Sequence, residues 1–355
     1  MADSNRRRFL KQGLVVAGGL GLGLTAWSRF GHHHEPPGVH PVLGPLFPVK
    51  DETTGLPLVC LPKGFRYHSM AWAGRKLGDG YPGPGACDGM GVVGEDGDIV
   101  TLVRNHELKG SSGPIGDPKK AWDITGGGAT TLKYDTASER LVDSWISLNG
   151  TVNNCAGGVT PWGTWLSCEE APITPEFIHL GGDSRQRLWG VKHAKKSHGY
   201  VFEVHPEGES DPQPILDMGQ FYHEAVAFDP DSGFVYMTED VAPEAGLYRY
   251  IPKVAGDLQA GGSLQMLKVK GFERLTGSLP LNQPMSFDWV TIEDPQLGHN
   301  PGTHDGSGVV GQGLLAGGTA FVSLEGCIYY RGSIYFTSKA GGTASAGQIL
   351  SLIHI

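Results

Sequence analysis

Short apolar and polar stretches alternate along most of this chain, and Gly, Pro or Asp separates them. Residues 127–136, 198–206 and 246–252 alternate aromatic or aliphatic side chains with polar ones and stop near Pro or Asp. Alternation with a period of two is typical of a half-buried β-strand. The pattern therefore predicts an all-β protein built from short strands.

A loosely repeated unit occurs beyond residue 85. Each copy has a short segment, a turn rich in Pro, Gly or Asp, and then a β-rich run such as GTWLS or GFVYMT. Because this run follows its turn directly, each copy predicts an antiparallel hairpin. The copies span 88–107, 155–170, 224–240 and 325–339.

The repetition of small antiparallel sheets predicts a β-propeller, with three or four strands in each blade. A propeller gathers the ends of its inner strands around one central channel. This geometry would bring side chains that are distant in the sequence into a single central metal site.

Acidic residues begin or end the predicted hairpins, where the first residue of one strand lies beside the last residue of the next. Converging carboxylates repel one another unless a cation binds them, and calcium prefers such oxygen ligands. Cys155 takes the position that Glu224 and Glu325 take in other copies, and a thiolate suits iron. The predicted metal ligands are Glu107, Cys155, Glu169, Glu170, Glu224, Glu239, Asp240 and Glu325.

His106 and His223 each precede one of these acids directly. Neighbouring residues on a strand face opposite sides of the sheet, so a histidine beside a ligand points away from it. We expect both histidines to pack behind the site and support it.

The amino-acid composition argues against several classes of protein. The 355 residues include 55 Gly and 24 Pro, which argues against a helical bundle, and the 39% of hydrophobic residues argues against general disorder. The net charge of −9 argues against a nucleic-acid partner. An acidic chain that acts on an anionic substrate would need bound cations.

The first residues have the pattern of an export signal. Residues 6–11 read RRRFLK and precede a 15-residue apolar run from Gly13 to Trp27, whereas a spanning helix needs about 20 residues. We therefore predict a twin-arginine-type signal over 1–28, the export machinery as partner, a periplasmic or extracellular location and no stable membrane anchor. No A-x-A cleavage site follows, so an uncleaved anchor stays open.

The remaining segments are predicted from composition and pattern. Residues 29–59 form a Pro/Gly-rich linker with a His32–His34 triplet, and residues 60–349 form the propeller domain. Residues 350–355 (LSLIHI) resemble the translation of a sequencing-library adapter, with a natural apolar strand as the alternative.

Several motifs together resemble the PhoX-type alkaline phosphatase family, from about residue 60 onward. They are VRNHE (103–107), NNCAGGVTPWGTWLSCEE (153–170), HGYVFEVHP (198–206), HEAVAFDP (223–230), YMTED (236–240) and LEG (324–326). The resemblance implies a β-propeller whose iron–calcium cluster hydrolyses phosphate monoesters, with small phosphate esters as substrates. It implies that iron is held by Cys155, Glu224 and Glu325, and calcium by Glu107, Glu169, Glu170, Glu239 and Asp240.

The chain departs from the family pattern in two ways. Ser323 stands where the family has an arginine that contacts phosphate, and Arg104 is predicted to take that catalytic role, with Lys339 as the alternative. The sequence also stops at GGTASAGQ, where the family continues with further blades, so an incomplete ring is expected.

Two other functions compete with a phosphatase. One is a calcium-dependent propeller hydrolase of another type, such as a lactonase, and the other is a non-catalytic binding propeller stabilised by calcium. Cys155 separates them from the first hypothesis, because a site for calcium alone has no need of a thiolate.

Overall fold

Antiparallel strands make up nearly all of the regular structure in the computed structural model of this chain. Within its described part there are eighteen strands and one α-helix, α1 (Val309–Leu315). The predicted all-β class is therefore confirmed. The structure describes residues 39–40, 43–110, 113–175, 194–277, 279, 282–298 and 308–353.

The residues described up to position 69 form a compact unit of their own. Its antiparallel sheet contains β1 (Val39–His40), β2 (Gly44–Lys50) and β3 (Pro57–Pro62). Asp51 follows β2 directly, and its carboxylate accepts a hydrogen bond of 2.7 Å from the backbone N–H of Ser69. This hydrogen bond links the residue that follows β2 to the last residue of the unit.

The second unit begins at Met70 and contains four antiparallel sheets, A to D, each with its strands in chain order. Sheet A contains β4 (Cys87–Asp96), β5 (Ile99–His106), β6 (Gly127–Asp135) and β7 (Arg140–Thr151). Sheet B contains β8 (Asn154–Val159), β9 (Trp165–Glu169) and β10 (Val201–Val204). Sheet C contains β11 (His223–Phe228), β12 (Val235–Glu239), β13 (Leu247–Val254), β14 (Asp257–Val269) and β15 (Phe287–Thr291). Sheet D contains β16 (Leu324–Tyr330), β17 (Ser333–Ser338) and β18 (Gln348–Ile353).

The predicted hairpins are the first two strands of these four sheets, and the strands predicted from alternation are β6, β10 and β13. The turn between β16 and β17 shows why the chain reverses so tightly. Arg331 and Gly332 have φ values of 49° and 78°, which is the left-handed pair that a two-residue hairpin turn requires. The sequence pattern thus located these four hairpins and three strands, whereas sheet C has five strands rather than the predicted three or four.

An apolar core fills each space between consecutive sheets. Val103 and Phe202 meet between sheets A and B, Leu166 and Met237 between B and C, and Phe336 lies in the core between C and D. The first strands also follow one another, since β8 contacts β4 and β11, and β11 contacts β16. Consecutive sheets are therefore neighbours in chain order, and their first strands contact one another.

The predicted segment boundaries stay predictions. The twin-arginine signal over 1–28 and the His32–His34 triplet lie outside the described residues, and the compact units divide at residues 69 and 70 rather than at 60. Residues 350–353 belong to β18, where Leu352 is buried against sheet C. No helix in the described part of the chain is long and apolar enough to cross a membrane.

Candidate metal centre

A β-bulge recurs near the start of the first strand in all four sheets. In each sheet the first residue pair is followed by a shift of register, so that the next residue on the first strand has no direct partner. The first pairs are Cys87 with His106, Asn154 with Glu169, His223 with Glu239, and Leu324 with Ser338. The residues that follow them in the bulge are Asp88, Cys155, Glu224 and Glu325.

A backbone hydrogen bond closes the same end of each hairpin. The residue after the second strand donates its N–H to the carbonyl of the residue that precedes the first strand. These bonds run from Glu107 to Ala86 (2.8 Å), Glu170 to Asn153 (3.1 Å), Asp240 to Tyr222 (3.0 Å) and Lys339 to Ser323 (2.9 Å). We call the four donor positions, Glu107, Glu170, Asp240 and Lys339, the latch positions. Each latch residue therefore lies next to the bulge of its own hairpin.

Three of the four accepting residues have a strained backbone. Ala86, Asn153 and Ser323 have φ values of 47°, 49° and 46°, a region that residues with a Cβ atom rarely adopt. Strain of this kind costs about 1–3 kcal/mol for each residue and is concentrated at functional sites. Its recurrence at equivalent positions of three hairpins makes this end of the sheets a candidate functional site.

Three of the predicted ligands come together at the centre of this arrangement. The Sγ atom of Cys155 and one carboxylate oxygen each of Glu170 and Glu224 lie within 4.8 Å of one another. Cys155 and Glu224 are buried, and the thiol donates a hydrogen bond of 3.0 Å to the carbonyl of His223. Sheets B and C thus contribute jointly to one group of ligands.

The acids of this group shift one another's protonation. Burial raises the pKa of Glu224 to about 9, and the charges of Glu170 and Glu325 add to the effect. Burial also raises the pKa of Glu170 to about 8, together with the charges of Asp240 and Glu107. Carboxyl groups with such pKa values are unfavourable as anions unless a cation lies close to them.

Sheet A contributes its bulge residue Asp88 and its latch residue Glu107, whose charge acts on Glu170. Burial raises the pKa of Glu107, and the nearby charge of Asp88 raises it further. Burial likewise raises the pKa of Asp88. Asp88 was not among the predicted ligands, although its place at the start of the first hairpin is equivalent to that of Cys155. The register of the hairpins could have identified it.

Asn153 provides a test of whether these residues fit a cation. Its side chain donates from Nδ2 to Glu170 (3.1 Å), but its buried Oδ1 has no hydrogen-bond partner. An amide oxygen among carboxylates is a typical calcium ligand, and a thiol beside them suits a transition metal. The donor set therefore fits the predicted combination of iron and calcium. Sequence reasoning missed Asn153, because nothing in its pattern distinguishes it from a turn residue.

Lys339 occupies the latch position of sheet D, where the other sheets have acids. Its Nζ donates to Oε1 of Glu325 (2.5 Å) and also to Oδ2 of Asp240. This ammonium group therefore bridges the bulge residue of sheet D and the latch residue of sheet C.

Glu169 is held by the segments that precede β8 and β10 rather than by the central group. Its carboxylate accepts hydrogen bonds from the backbone N–H groups of Val152 (2.9 Å), Gly199 (2.8 Å) and Tyr200 (3.2 Å), and from Nδ1 of His198 (2.7 Å). Both oxygens are fully engaged, so the metal ligands proposed below do not include Glu169.

Glu239 has the equivalent position in sheet C. Its Oε2 accepts hydrogen bonds from the backbone N–H of Gly246 (2.9 Å) and from the hydroxyl of Tyr248 (2.8 Å). Burial raises its pKa to about 7, although both hydrogen bonds act in the opposite direction. Glu169 and Glu239 are paired within their sheets, and in each case the acid that follows reaches the central group.

Arg104 donates a hydrogen bond to the backbone rather than to one of these acids. Its guanidinium is buried and donates from Nη2 to the carbonyl oxygen of Ala71 (3.3 Å), and burial lowers its pKa. Arg104 therefore stays a predicted catalytic residue, whereas Lys339 contacts two of the acids directly.

The two histidines behave as expected. His106 is buried, and its ring nitrogens lie 2.8 Å from the carbonyl oxygen of Gly85 and 2.9 Å from the hydroxyl of Thr130. His223 donates from Nε2 to the carbonyl of Gly219 (2.9 Å). Both side chains support the hairpin ends from within the sheets.

Comparison with known proteins identifies the family. A family model described as alkaline phosphatase PhoX matches residues 117–351, which is more than half of the chain and includes Cys155, Glu170, Glu224, Asp240 and Glu325. Neither a curated protein nor a solved structure matches the chain. The matched range includes the bulge and latch positions of sheets B, C and D. The chain therefore belongs to the alkaline phosphatase PhoX family.

Proposed function

We propose that this protein is a metal-dependent phosphatase that hydrolyses phosphate monoesters at a cluster of iron and calcium. The observation that carries the proposal is the fourfold repetition of the bulge and latch positions, which gather a thiol and several carboxylates at one end of four sheets. Membership of an alkaline phosphatase family supports this reaction class.

The proposal includes a propeller arrangement of sheets A to D. Each sheet would be one blade, and β4, β8, β11 and β16 would be the inner strands around a common axis. The contacts of β8 with β4 and β11, and of β11 with β16, support this arrangement, as do the apolar cores between consecutive sheets. The inner strands of a propeller begin around one channel, which explains how four bulges can share one site.

The ligands divide by chemistry. Cys155, Glu224 and Glu325 would hold iron, because the thiolate is the donor that a transition metal favours. Calcium would be held by carboxylate and amide oxygens, which are those of Asp88, Glu107, Asn153, Glu170 and Asp240. When bound, the cations supply Lewis acidity, which offsets the charge of the phosphoryl oxygens.

The protein's own contribution is to collect and fix these groups before substrate arrives. The bulges turn the ligands to one end, and the latch bonds of 2.8–3.1 Å hold the acids that follow the second strands. Burial keeps water away from Cys155 and Glu224. A phosphate dianion would be repelled by such an acidic site, so cations are required both for binding and for reaction.

Calcium chemistry without iron is the competing function. It would apply to a lactonase-like hydrolase or to a binding propeller. The position of Cys155 argues against both, because its Sγ atom lies within 4.8 Å of carboxylate oxygens from two neighbouring hairpins. A calcium site places oxygen atoms rather than sulfur at such a position.

Export by the twin-arginine route and a periplasmic or extracellular location also belong to the proposal. They depend on the RRRFLK segment and on the short apolar run that follows it. Twin-arginine export carries folded proteins, which agrees with a site whose metals are bound before transport.

Hydrolysis of p-nitrophenyl phosphate by the full-length protein, supplied with iron and calcium, tests this function. We expect turnover by the wild type and its loss in Cys155→Ala and Glu325→Gln, since each change removes a ligand. Cys60→Ala and Glu207→Gln are matched controls, because both side chains are exposed and lie outside the site. Undiminished turnover in either ligand variant would contradict the site, and absence of turnover in the wild type would contradict the proposed reaction.

A further inference from the structure

The four latch positions are equivalent in backbone geometry but not in charge. Glu107, Glu170 and Asp240 are acids, whereas the fourth position holds Lys339, with the same backbone hydrogen bond to the residue before the first strand. One quarter of the ligand arrangement therefore carries a positive group where the others carry a negative one. The latch residue of sheet D therefore cannot itself be a cation ligand while it is positively charged.

The side chain of Lys339 is also more exposed to solvent than the two acids that it contacts. About half of its side chain is exposed (51%), compared with 33% for Glu325 and 10% for Asp240. Its Nζ donates to both carboxylates and so approaches the group of ligands from the solvent side. A substrate that enters from solvent would meet this ammonium group before it meets the buried acids.

We propose that the ammonium group of Lys339 binds the phosphoryl group of the substrate, and this inference rests on the proposed function. In the protein without metal, Lys339 acts as a counter-ion for Asp240 and Glu325. Once cations bind these two carboxylates, the ammonium N–H groups donate to an oxygen of the phosphoryl group instead. Lysine is well suited to this role, because its compact charge and three donors are commonly used to bind phosphate.

A purely structural ion pair is the alternative, and it makes different predictions. Exposed ion pairs contribute little to stability, about 0–1 kcal/mol, so loss of such a pair alone would change neither metal nor phosphate binding greatly. If Lys339 competes with a cation for its carboxylates and then binds phosphate, its removal should weaken phosphate binding without weakening calcium binding.

The test compares Lys339→Met with wild-type, full-length protein by titration calorimetry. Calcium is first titrated into metal-depleted protein, and inorganic phosphate is then titrated into protein loaded with iron and calcium. We expect calcium to bind the variant as tightly as the wild type or several-fold more tightly. We expect phosphate to bind the variant about 10- to 100-fold more weakly, which is the range for loss of a hydrogen bond from a charged donor.

Two further variants complete the test. Lys339→Arg keeps the charge and should retain most of the phosphate affinity. Lys270→Met is the matched control, because Lys270 forms an exposed ion pair with Asp288 on sheet C, and it should leave both affinities unchanged. If Lys339→Met does not fold, Lys339→Gln replaces it, since thermal unfolding of each variant is measured first.

The outcomes separate the inference from the proposed function. Weaker phosphate binding with undiminished calcium binding in the variant supports the role of Lys339. Equal phosphate affinity in wild type and variant overturns that role and leaves the phosphatase proposal standing. If loaded wild-type protein binds no phosphate, both are overturned. Parallel loss of calcium and phosphate binding would overturn the inference too, because it indicates a general disruption of the site.

Discussion

His198 joins two buried carboxylates, and its replacement by Gln should destabilise the protein in a way that depends on pH. Its Nδ1 lies 2.7 Å from Oε1 of Glu169, and its Nε2 lies 3.3 Å from Oδ2 of Asp123. With a carboxylate at each nitrogen, the ring donates from both and is positively charged. Asp123 also accepts backbone N–H groups from Lys195 (2.6 Å) and Lys196 (2.8 Å), so the histidine ties distant segments together.

The size of the effect follows from the shift in pKa. Burial alone would lower the pKa of His198, but the charge of Glu169 and the hydrogen bonds with Asp123 and Glu169 raise it to about 9. The value in the unfolded chain is about 6.5, and each unit corresponds to about 1.4 kcal/mol, so the contribution is about 3 kcal/mol. Removal of one member of a buried ion pair costs about 3–5 kcal/mol, which agrees.

The sign follows from the direction of the shift. Because the pKa is higher in the folded state than in the unfolded chain, the stabilisation is complete below about pH 6.5 and disappears as the pH rises through about 9. Urea unfolding followed by tryptophan fluorescence should therefore show a large difference between wild type and His198→Gln near pH 6. That difference should shrink above about pH 9.

His205→Gln is the matched control, because His205 is exposed on the segment after β10. It should have wild-type stability at both pH values. If His198→Gln were as stable as the wild type near pH 6, or if the difference between them were the same at both pH values, the argument for a charged, buried His198 would be refuted.

Three other predictions concern the site and its scaffold. Asp88→Asn should weaken calcium binding about tenfold or more, as measured by calorimetry, because Asp88 has the bulge position of sheet A. Calcium and iron binding at pH 7 should release protons, because the pKa values of Glu224 and Glu170 are about 9 and about 8 without metal. Calorimetry in two buffers of different ionisation enthalpy measures this release, and its absence would contradict the prediction. Gly91→Ala should lower the free energy of unfolding by about 1–3 kcal/mol, since an added Cβ would lie 2.6 Å from an indole atom of Trp165 between sheets A and B. Gly208→Ala is the control: an added Cβ there meets no atom within 4 Å, so stability should not change in the same urea assay.

The sequence pattern was sufficient to predict the strands and the sharing of one end by the hairpins, because both depend on local alternation and on short turns. It correctly grouped Cys155, Glu170 and Glu224, which the structure brings together. It did not separate Glu170 from Glu169, since both directly follow the same apolar run. Only the register shows that Glu169 is paired with Asn154 inside the sheet, whereas Glu170 lies beyond it.

Sequence reasoning did not select Asp88 or Asn153 as candidate ligands. Asp88 begins the first copy of the repeat as Cys155 begins the second, so the pattern could have identified it, and the paired strands confirm the equivalence. Asn153 is distinguished by its left-handed backbone and its unpaired Oδ1 atom, neither of which leaves a pattern. Arg104 was predicted as a substitute for the arginine that the family has at Ser323, and its role stays a prediction, since its guanidinium donates to the carbonyl of Ala71.

The metal content of purified, full-length protein tests the central claim most directly. Elemental analysis of wild type, Cys155→Ala and the control Cys60→Ala should find iron and calcium together in the wild type and the control. In Cys155→Ala we expect iron to be lost and calcium largely retained, because the thiolate serves iron and the carboxylates of the latch positions serve calcium. Calcium without iron in the wild type, or full iron content in Cys155→Ala, would contradict the proposed metal centre.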